Sequence, residues 1–265
     1  DRAFLKFVKR GEAALLRTPR YPELAHHGTN RCPKDGTRLN EVQVPAAPFH
    51  TYQCETCGQA FSGPMFDAGM QGYLKEHQRN SGDVQNLGLA YAITGRKEFA
   101  HQAAEILRRY IDVYPKLPIM SISQGSPVYS HTSGATRIGG TFMRERNWLT
   151  ALAIGLDFIR PAGILNKTEL AAIADQVFAP SANLMMDHKV GAMNLQWMIA
   201  SAGLYAGLAA DHTGVVARAM YDPHGVRNLM RVGYLDDGNW WENPSYQNVC
   251  NGIAFPVLAT CLHNG

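Results

Sequence analysis

The stretch that decides the fold is residues 97–114, which read KEFAHQAAEILRRYIDVY. Its large apolar side chains recur three or four residues apart, so they fall on one face of a helix. These residues are Phe99, Ala103, Ile106, Leu107, Tyr110 and Ile111. A helix with one apolar face has to bury that face against other elements. The stretch therefore predicts a helix that packs into a core.

Helical patterns also fill the rest of the chain beyond Phe66, where strand patterns are nearly absent. They cover 67–78, 82–94, 142–160, 167–187, 194–209, 214–221, 224–233 and about 246–262. Asn166 and Thr168 are candidate caps of the helix over 167–187. Short loops between helices favour antiparallel pairs, and no strict repeat indicates a standard solenoid. We expect an all-α fold, a complete or incomplete α/α toroid, with a small N-terminal β insert.

The chain divides into three parts by composition. Residues 1–17 are expected to form an N-terminal helix, and 67–265 the α/α toroid catalytic domain. The part between them, 18–66, carries six prolines, which exclude long helices, and short alternating stretches that fit small strands. The prolines are Pro19, Pro22, Pro33, Pro45, Pro48 and Pro64. We interpret 18–66 as a small insert that resembles a zinc ribbon.

Composition restricts the function. The chain has 265 residues, a net charge of +3 and a pI near 8.6, which suits a cleft for an anionic ligand. Lysine and arginine are scattered, so a nucleic-acid partner is not expected. No apolar run approaches the roughly 20 residues that span a bilayer, so membrane insertion is not expected either. The start at Asp1-Arg2 is typical of a processed, trimmed or incomplete chain.

Four residues of the insert have the spacing of a metal site. Cys54 and Cys57 form a CxxC knuckle, and Cys32 with Asp35 occupies the matching positions upstream. A tetrahedral site of this kind binds Zn²⁺, here in a structural role. Other candidates for the fourth ligand are His26, His27 and His50. Two alternatives stay open: a degenerate ribbon without metal, and one disulfide with a spare thiol.

A polar loop before the last helix is the strongest candidate for substrate binding. It contains Trp240, Trp241 and Glu242 and ends at Tyr246. Aromatic rings cover the flat C–H faces of sugars. The alternative for one of the two tryptophans is a place in the core.

Two further segments carry polar side chains beside apolar helices. Asn194, Gln196 and Trp197 open the helix over 194–209, and Arg137 precedes the helix over 142–160. Gln196, Trp197 and Arg137 are candidate substrate-binding residues. Asn194 is also a good N-cap residue, which gives it an ordinary structural alternative. Arg137 suits a bidentate contact with a substrate carboxylate, or an ion pair with Glu145.

Four stretches together resemble the helical domain of the heparinase II/III-like polysaccharide lyases, which include alginate and heparan lyases. They span most of 66–265 and lie at Asn86–Leu107, Arg137–Asp157, Asn194–Trp197 and Asp237–Tyr246. The resemblance implies an α/α toroid that is normally followed by a β-sandwich domain, which would carry a catalytic histidine. It also implies that Tyr246 is the catalytic acid/base and that Asn194 neutralises the substrate carboxylate.

The sequence departs from this family in two places. Glu242-Asn243-Pro244-Ser245 stands where the family usually has Glu-Gly-Ser, and Leu195 stands where some members have histidine. The family's reaction is β-elimination at a uronate. Donors that neutralise the substrate carboxylate, here Asn194, Gln196 and Arg137, stabilise the charge that develops when the C5 proton leaves. The alternative bases are His131, His188 and His224.

The expected partner is therefore an acidic, uronate-containing polysaccharide, and its class implies a secreted or periplasmic protein. One alternative is a toroid glycoside hydrolase, similar to unsaturated glycuronyl hydrolases. It would use carboxylates such as Asp236, Asp237 or Glu242. The other alternative is a glycan-binding fragment without catalysis.

Overall fold

The computed structural model describes residues 2–25, 29–42, 49–120, 134–242 and 244–264. Eleven helices occur in these ranges, together with one three-stranded sheet. The helices are α1 (Arg2–Leu15), α2 (Pro64–Met70), α3 (Tyr73–Thr94), α4 (Lys97–Val113), α5 (Phe142–Ile159), α6 (Lys167–Ile173), α7 (Ala179–Met186), α8 (Asn194–Ala209), α9 (Thr213–Tyr221), α10 (Val226–Val232) and α11 (Pro244–Asn264). The strands are β1 (Leu39–Val42), β2 (Thr51–Cys54) and β3 (Ala60–Ser62). Within these ranges no helix is both long and apolar enough to cross a lipid bilayer.

The helical core forms around α3, α4, α5 and α8. Helix α3 packs against α1, α4 and α5, and α8 packs against α5, α7, α9 and α11. The apolar face predicted for α4 is confirmed, because Phe99, Ile106, Leu107 and Tyr110 are fully or almost fully buried. Helices α3 and α5 approach closely at glycines. A Cβ on Gly88 of α3 would lie 2.8 Å from the carbonyl oxygen of Gly155 of α5.

The insert forms the small sheet that the sequence predicts. The strand order is β1-β2-β3, both pairs are antiparallel, and Leu39 lies opposite Cys54. Its own core contains Cys32, Leu39, Tyr52 and Cys54. The mainly helical class with a small β insert is thereby confirmed. The closure of the helical pairs into a toroid and the domain boundaries stay predictions.

The predicted break between 78 and 82 is wrong, because α3 runs without interruption through Asn80, Ser81 and Gly82. These residue types favour turns, but the Ser81 hydroxyl donates to the Gln78 carbonyl within the helix (3.0 Å). The chain breaks instead at Gly72, whose φ of +67° suits glycine.

The predicted helix over 167–187 is present as α6, a π-helical turn (Ala174–Phe178) and α7. Asn166 is its N-cap, as predicted, and it forms a capping box with Glu169. Thr168, the other candidate cap, lies within the helix.

The segment after α1, residues 17–25, forms a strap along α3 that is held by polar groups of that helix. The Arg17 guanidinium donates to Asp83 (2.5 Å) and to the Asn80 amide oxygen (2.8 Å). Farther along, the Asn80 amide donates to the Arg20 carbonyl (2.7 Å). Because these partners come from one helix, they fix the path of the strap.

Candidate functional site

The loop before α11 is a tight hairpin over residues 233–242. Tyr234 and Trp240 form an antiparallel bridge, and the Leu235 N–H donates to the Asn239 carbonyl (2.8 Å). The Asp237 carboxylate accepts from the backbone and side chain of Asn239 (3.0 and 2.9 Å). These bonds lower the pKa of Asp237. The hairpin is therefore a defined structure that presents its tryptophans in fixed directions.

Glu242 fastens this hairpin to the start of α8. One of its carboxylate oxygens accepts from the Asn194 backbone N–H (2.7 Å) and from the Trp240 indole N–H (2.8 Å). The Trp241 indole N–H donates to the Ala192 carbonyl. A carboxylate on the first N–H of a helix is also favoured by the helix dipole. The hairpin that carries Trp241 and Glu242 is thus in direct contact with the start of α8.

The two tryptophans of the hairpin have different environments. Trp240 is 2% exposed and packs edge-on against Tyr234, with ring centroids 5.3 Å apart. Trp241 is 48% exposed and Tyr246 is 42% exposed. Trp240 is therefore a core residue. Trp241 and Tyr246 remain accessible to a ligand.

Trp197, which the sequence places in substrate binding, is fully buried within the helical core. Its ring faces other core residues because α8 is apolar around most of its circumference, so this placement gives no support to a sugar contact.

The polar residues that open α8 are largely buried. Asn194 is 6% exposed and is the first residue of the helix, and the cap residue before it is Met193. The Gln196 side-chain oxygen accepts from the Val190 N–H (3.2 Å), so it braces the loop before α8. Their predicted roles as carboxylate neutraliser and substrate ligand stay predictions.

Arg137 lies beside the aromatic ring of Tyr114, with its guanidinium 5.6 Å from the ring centroid. It donates to the Leu117 carbonyl. Within the described part of the chain, no ion pair joins Arg137 to Glu145. The predicted carboxylate clamp would therefore use the guanidinium N–H groups other than the one that donates to Leu117.

Glu145 is a fully buried carboxyl group that the sequence analysis treated only as a partner for Arg137. It accepts from the Tyr114 and Ser181 hydroxyls (both 2.7 Å) and from the Ile138 backbone N–H (2.5 Å). Burial raises the pKa of Glu145. A glutamate in the first turn of α5 gave no signal of this environment, because its partners come from distant segments.

The alternative bases have ordinary partners where they are described. His188 accepts from the Ala135 backbone N–H (3.1 Å), and the backbone of His224 donates to Asp222 (2.9 Å). His131 lies outside the described residues. His188 therefore supports the segment that leads into α5.

The four predicted metal ligands meet at one point of the insert. The ligand atoms of Cys32, Asp35, Cys54 and Cys57 all lie within 4.8 Å of one another. The Sγ atoms of Cys32 and Cys57 are 3.6 Å apart, and Sγ of Cys54 lies 3.4 Å from Asp35. Zn–S bonds of about 2.3 Å in a tetrahedron separate two sulfur atoms by about 3.8 Å. The cluster therefore has the ligands and spacing to hold a metal ion such as zinc.

Hydrogen bonds from backbone N–H groups favour the anionic forms of Asp35 and Cys54. The Thr37 backbone N–H, followed by its hydroxyl, lowers the pKa of Asp35 to about 2. The Cys57 backbone N–H donates to Sγ of Cys54 (3.4 Å) and lowers the pKa of that thiol. No disulfide joins these described cysteines, because the Sγ atoms of Cys32 and Cys57 are 3.6 Å apart and a bond requires about 2.05 Å.

The other candidates for the fourth ligand do not join the cluster. His50 lies near the carboxylates of Asp67 and Glu41 (3.5 and 3.6 Å). His26 and His27 lie outside the described residues.

Comparison with known proteins adds one relative. The chain is 23% identical over 186 residues to an alginate lyase of Stenotrophomonas maltophilia. The chain is a distant homologue of that lyase. The match covers 65% of this chain and 23% of the relative, so the chain spans less than a quarter of the relative's length. No protein-family model matches the chain.

Proposed function

We propose that the protein is a heparinase II/III-like polysaccharide lyase that cleaves an acidic, uronate-containing glycan by β-elimination. The observation that carries the proposal is the Glu242 carboxylate. Its hydrogen bonds join the start of α8, which carries Asn194, to the tryptophan hairpin that precedes Tyr246 in the chain. The distant homology to an alginate lyase supports the same reaction class.

The chain between Glu242 and Tyr246 is short enough to keep these groups together. Four residues span at most about 14 Å even when they are fully extended. Since α11 begins at Pro244, the real separation is smaller. In this proposal the sugar that stacks on Trp241 lies within reach of the Tyr246 side chain.

The proposed chemistry follows from the acidity of the C5 proton. Tyr246 takes that proton, the electron pair forms the C4–C5 double bond, the bond between C4 and the glycosidic oxygen breaks, and the proton passes from Tyr246 to the leaving oxygen. Asn194, with Gln196 and Arg137, stabilises the charge that builds on the uronate carboxylate. A tyrosine has an ordinary pKa near 10, so a nearby cation or hydrogen-bond donor has to favour its ionised form.

The insert has a structural role in this proposal. Zn²⁺ bound by Cys32, Asp35, Cys54 and Cys57 would tie its short strands together, because the insert has a core of only a few apolar side chains. The substrate class also leads us to propose a secreted or periplasmic location.

The test is Tyr246→Phe in the full-length protein, with Tyr221→Phe as the matched control, since Tyr221 is an exposed tyrosine of α9. Alginate, heparan sulfate and hyaluronan are assayed by the ultraviolet absorbance of the unsaturated uronate. We expect Tyr246→Phe to lower the rate at least 100-fold and the control to leave it unchanged. Near-normal turnover by Tyr246→Phe would remove this tyrosine from the mechanism. Saturated products would replace the lyase with a hydrolase.

A further inference from the structure

A second cleft lies where the insert meets the helical body, and it shares no residue with the surface around Trp241. Its volume is about 510 Å³, within the range of about 300–1,000 Å³ that ligand pockets occupy. Aromatic and proline side chains form much of its described lining, including Tyr21, Phe49, Tyr73 and Pro118. Arg20 stands at the same cleft.

The wall formed by the strap is fixed by buried groups of α3. The Asn80 amide donates to the Arg20 carbonyl (2.7 Å), and His77 Nε2 lies 3.0 Å from the Pro22 carbonyl. Burial lowers the pKa of His77 to about 4, so the ring is neutral. Its Nε2 then carries the proton for Pro22, and Nδ1 accepts from the Tyr110 hydroxyl (3.1 Å). The carbonyl groups of the residues on either side of Tyr21 are thereby anchored.

Tyr21 is also fixed by packing, because its ring meets Tyr110 edge-on with centroids 5.5 Å apart. The position of this ring in the cleft is therefore set before any ligand arrives, which lowers the entropic cost of binding.

The opposite wall is fixed by Asp67 of α2. This buried carboxylate accepts from the Tyr52 hydroxyl (2.7 Å) and from the His50 backbone N–H (3.2 Å). Phe49 directly precedes His50 and is 38% exposed. The start of α2 is joined to the segment before β1 through the Thr29 N–H, which donates to the Met65 carbonyl (3.0 Å). The cleft thus has two ordered walls and an exposed ring on the insert side.

The lining matches the chemistry of an acidic sugar. Aromatic faces cover sugar C–H groups, and the phenols of Tyr21 and Tyr73 supply hydrogen bonds to hydroxyls. Among the described residues, no carboxylate forms an ion pair with Arg20, so its guanidinium has capacity for an anion. Glu23 provides an acceptor for sugar hydroxyls in the same cleft.

We propose that this cleft is a second glycan-binding site that takes a uronate residue, with Arg20 on the carboxylate and Phe49 and Tyr73 on the ring faces. The choice of a uronate rests on the proposed lyase function. The site would hold a polymeric substrate away from the surface around Trp241 and raise its local concentration there.

The experiment measures binding and turnover separately. A saturated alginate tetrasaccharide is titrated calorimetrically into Tyr246→Phe protein, alone and combined with Arg20→Ala or Phe49→Ala. Arg227→Ala, an exposed arginine on α10 that does not line the cleft, is the matched control. We expect Arg20→Ala and Phe49→Ala each to weaken the tetrasaccharide's binding at one site about tenfold or more, with unchanged melting temperatures. Added salt is expected to weaken the Arg20-dependent binding.

Two outcomes overturn the proposal. One is tetrasaccharide binding in Arg20→Ala and Phe49→Ala that equals the Arg227→Ala control. The other is equal binding of a neutral cellotetraose, which shows that no carboxylate is recognised. Failure of the lyase proposal can be distinguished from failure of the binding-site proposal. If tetrasaccharide binding depends on Arg20 but the wild-type protein forms no unsaturated product, the binding site is supported and only the lyase reaction is rejected.

Discussion

Replacing Glu242 with alanine removes the acceptor that joins the tryptophan hairpin to α8. The carboxylate receives two hydrogen bonds, from the Asn194 N–H at 2.7 Å and the Trp240 indole N–H at 2.8 Å. A hydrogen bond to a charged group contributes about 1.5–3 kcal/mol, and each buried donor left without a partner is costly. The Glu242→Ala change is therefore expected to lower the free energy of unfolding by about 3 kcal/mol. Glu242→Gln retains one acceptor and should lose about half as much.

The assay is urea denaturation followed by tryptophan fluorescence, with lyase turnover measured on the same samples. Asp237→Ala is the matched control, because Asp237 belongs to the same hairpin but bonds only within it. The control should lose no more than about 1 kcal/mol. We expect Glu242→Ala to lose turnover even where the protein stays folded, since Asn194 and Trp241 no longer share a fixed surface. Equal stability and turnover for Glu242→Ala and Asp237→Ala would refute this reasoning.

Two further predictions concern the metal cluster and a buried histidine. Elemental analysis of the native protein should find about one zinc ion per chain. The Cys54→Ser variant should lose this zinc, whereas Cys261→Ser, which lies outside the cluster, should keep it. A native protein without zinc would contradict the prediction. Burial lowers the pKa of His77 from 6.5 to about 4. Between pH 6.5 and 4 the unfolded state therefore takes up a proton that the folded state does not, and the folded protein loses stability as the pH falls. Urea unfolding at several pH values should therefore show that wild type loses about 3 kcal/mol more than His77→Gln between pH 6.5 and 4, and parallel pH profiles would contradict the assignment.

Local patterns predicted the elements of the fold well where one physical signal dominated. The apolar spacing of α4 and the cap at Asn166 depend on neighbours three or four residues away, so the sequence contains their whole cause. The run Asn80-Ser81-Gly82 led to the wrong prediction of a helix break, because its conformation depends on residues far away in the sequence. Asn80 holds its place in α3 through partners about sixty residues earlier, in the strap.

The candidate site shows the same division. The spacing of Cys32, Asp35, Cys54 and Cys57 identified the metal cluster, and the structure brings those ligand atoms together. The sequence also singled out the loop with adjacent tryptophans, but it contained nothing that decides which of them is buried.

By itself the sequence determined which segments form helices, where the cysteine knuckles lie and which residue types suit an acidic sugar, because these properties depend on short spacings. Only the tertiary structure decided that Trp240 is buried while Trp241 is exposed, that Glu145 lies among distant hydroxyls, and that Glu242 joins the hairpin to α8. Each of these depends on contacts between segments that are tens of residues apart, and no local pattern encodes such contacts.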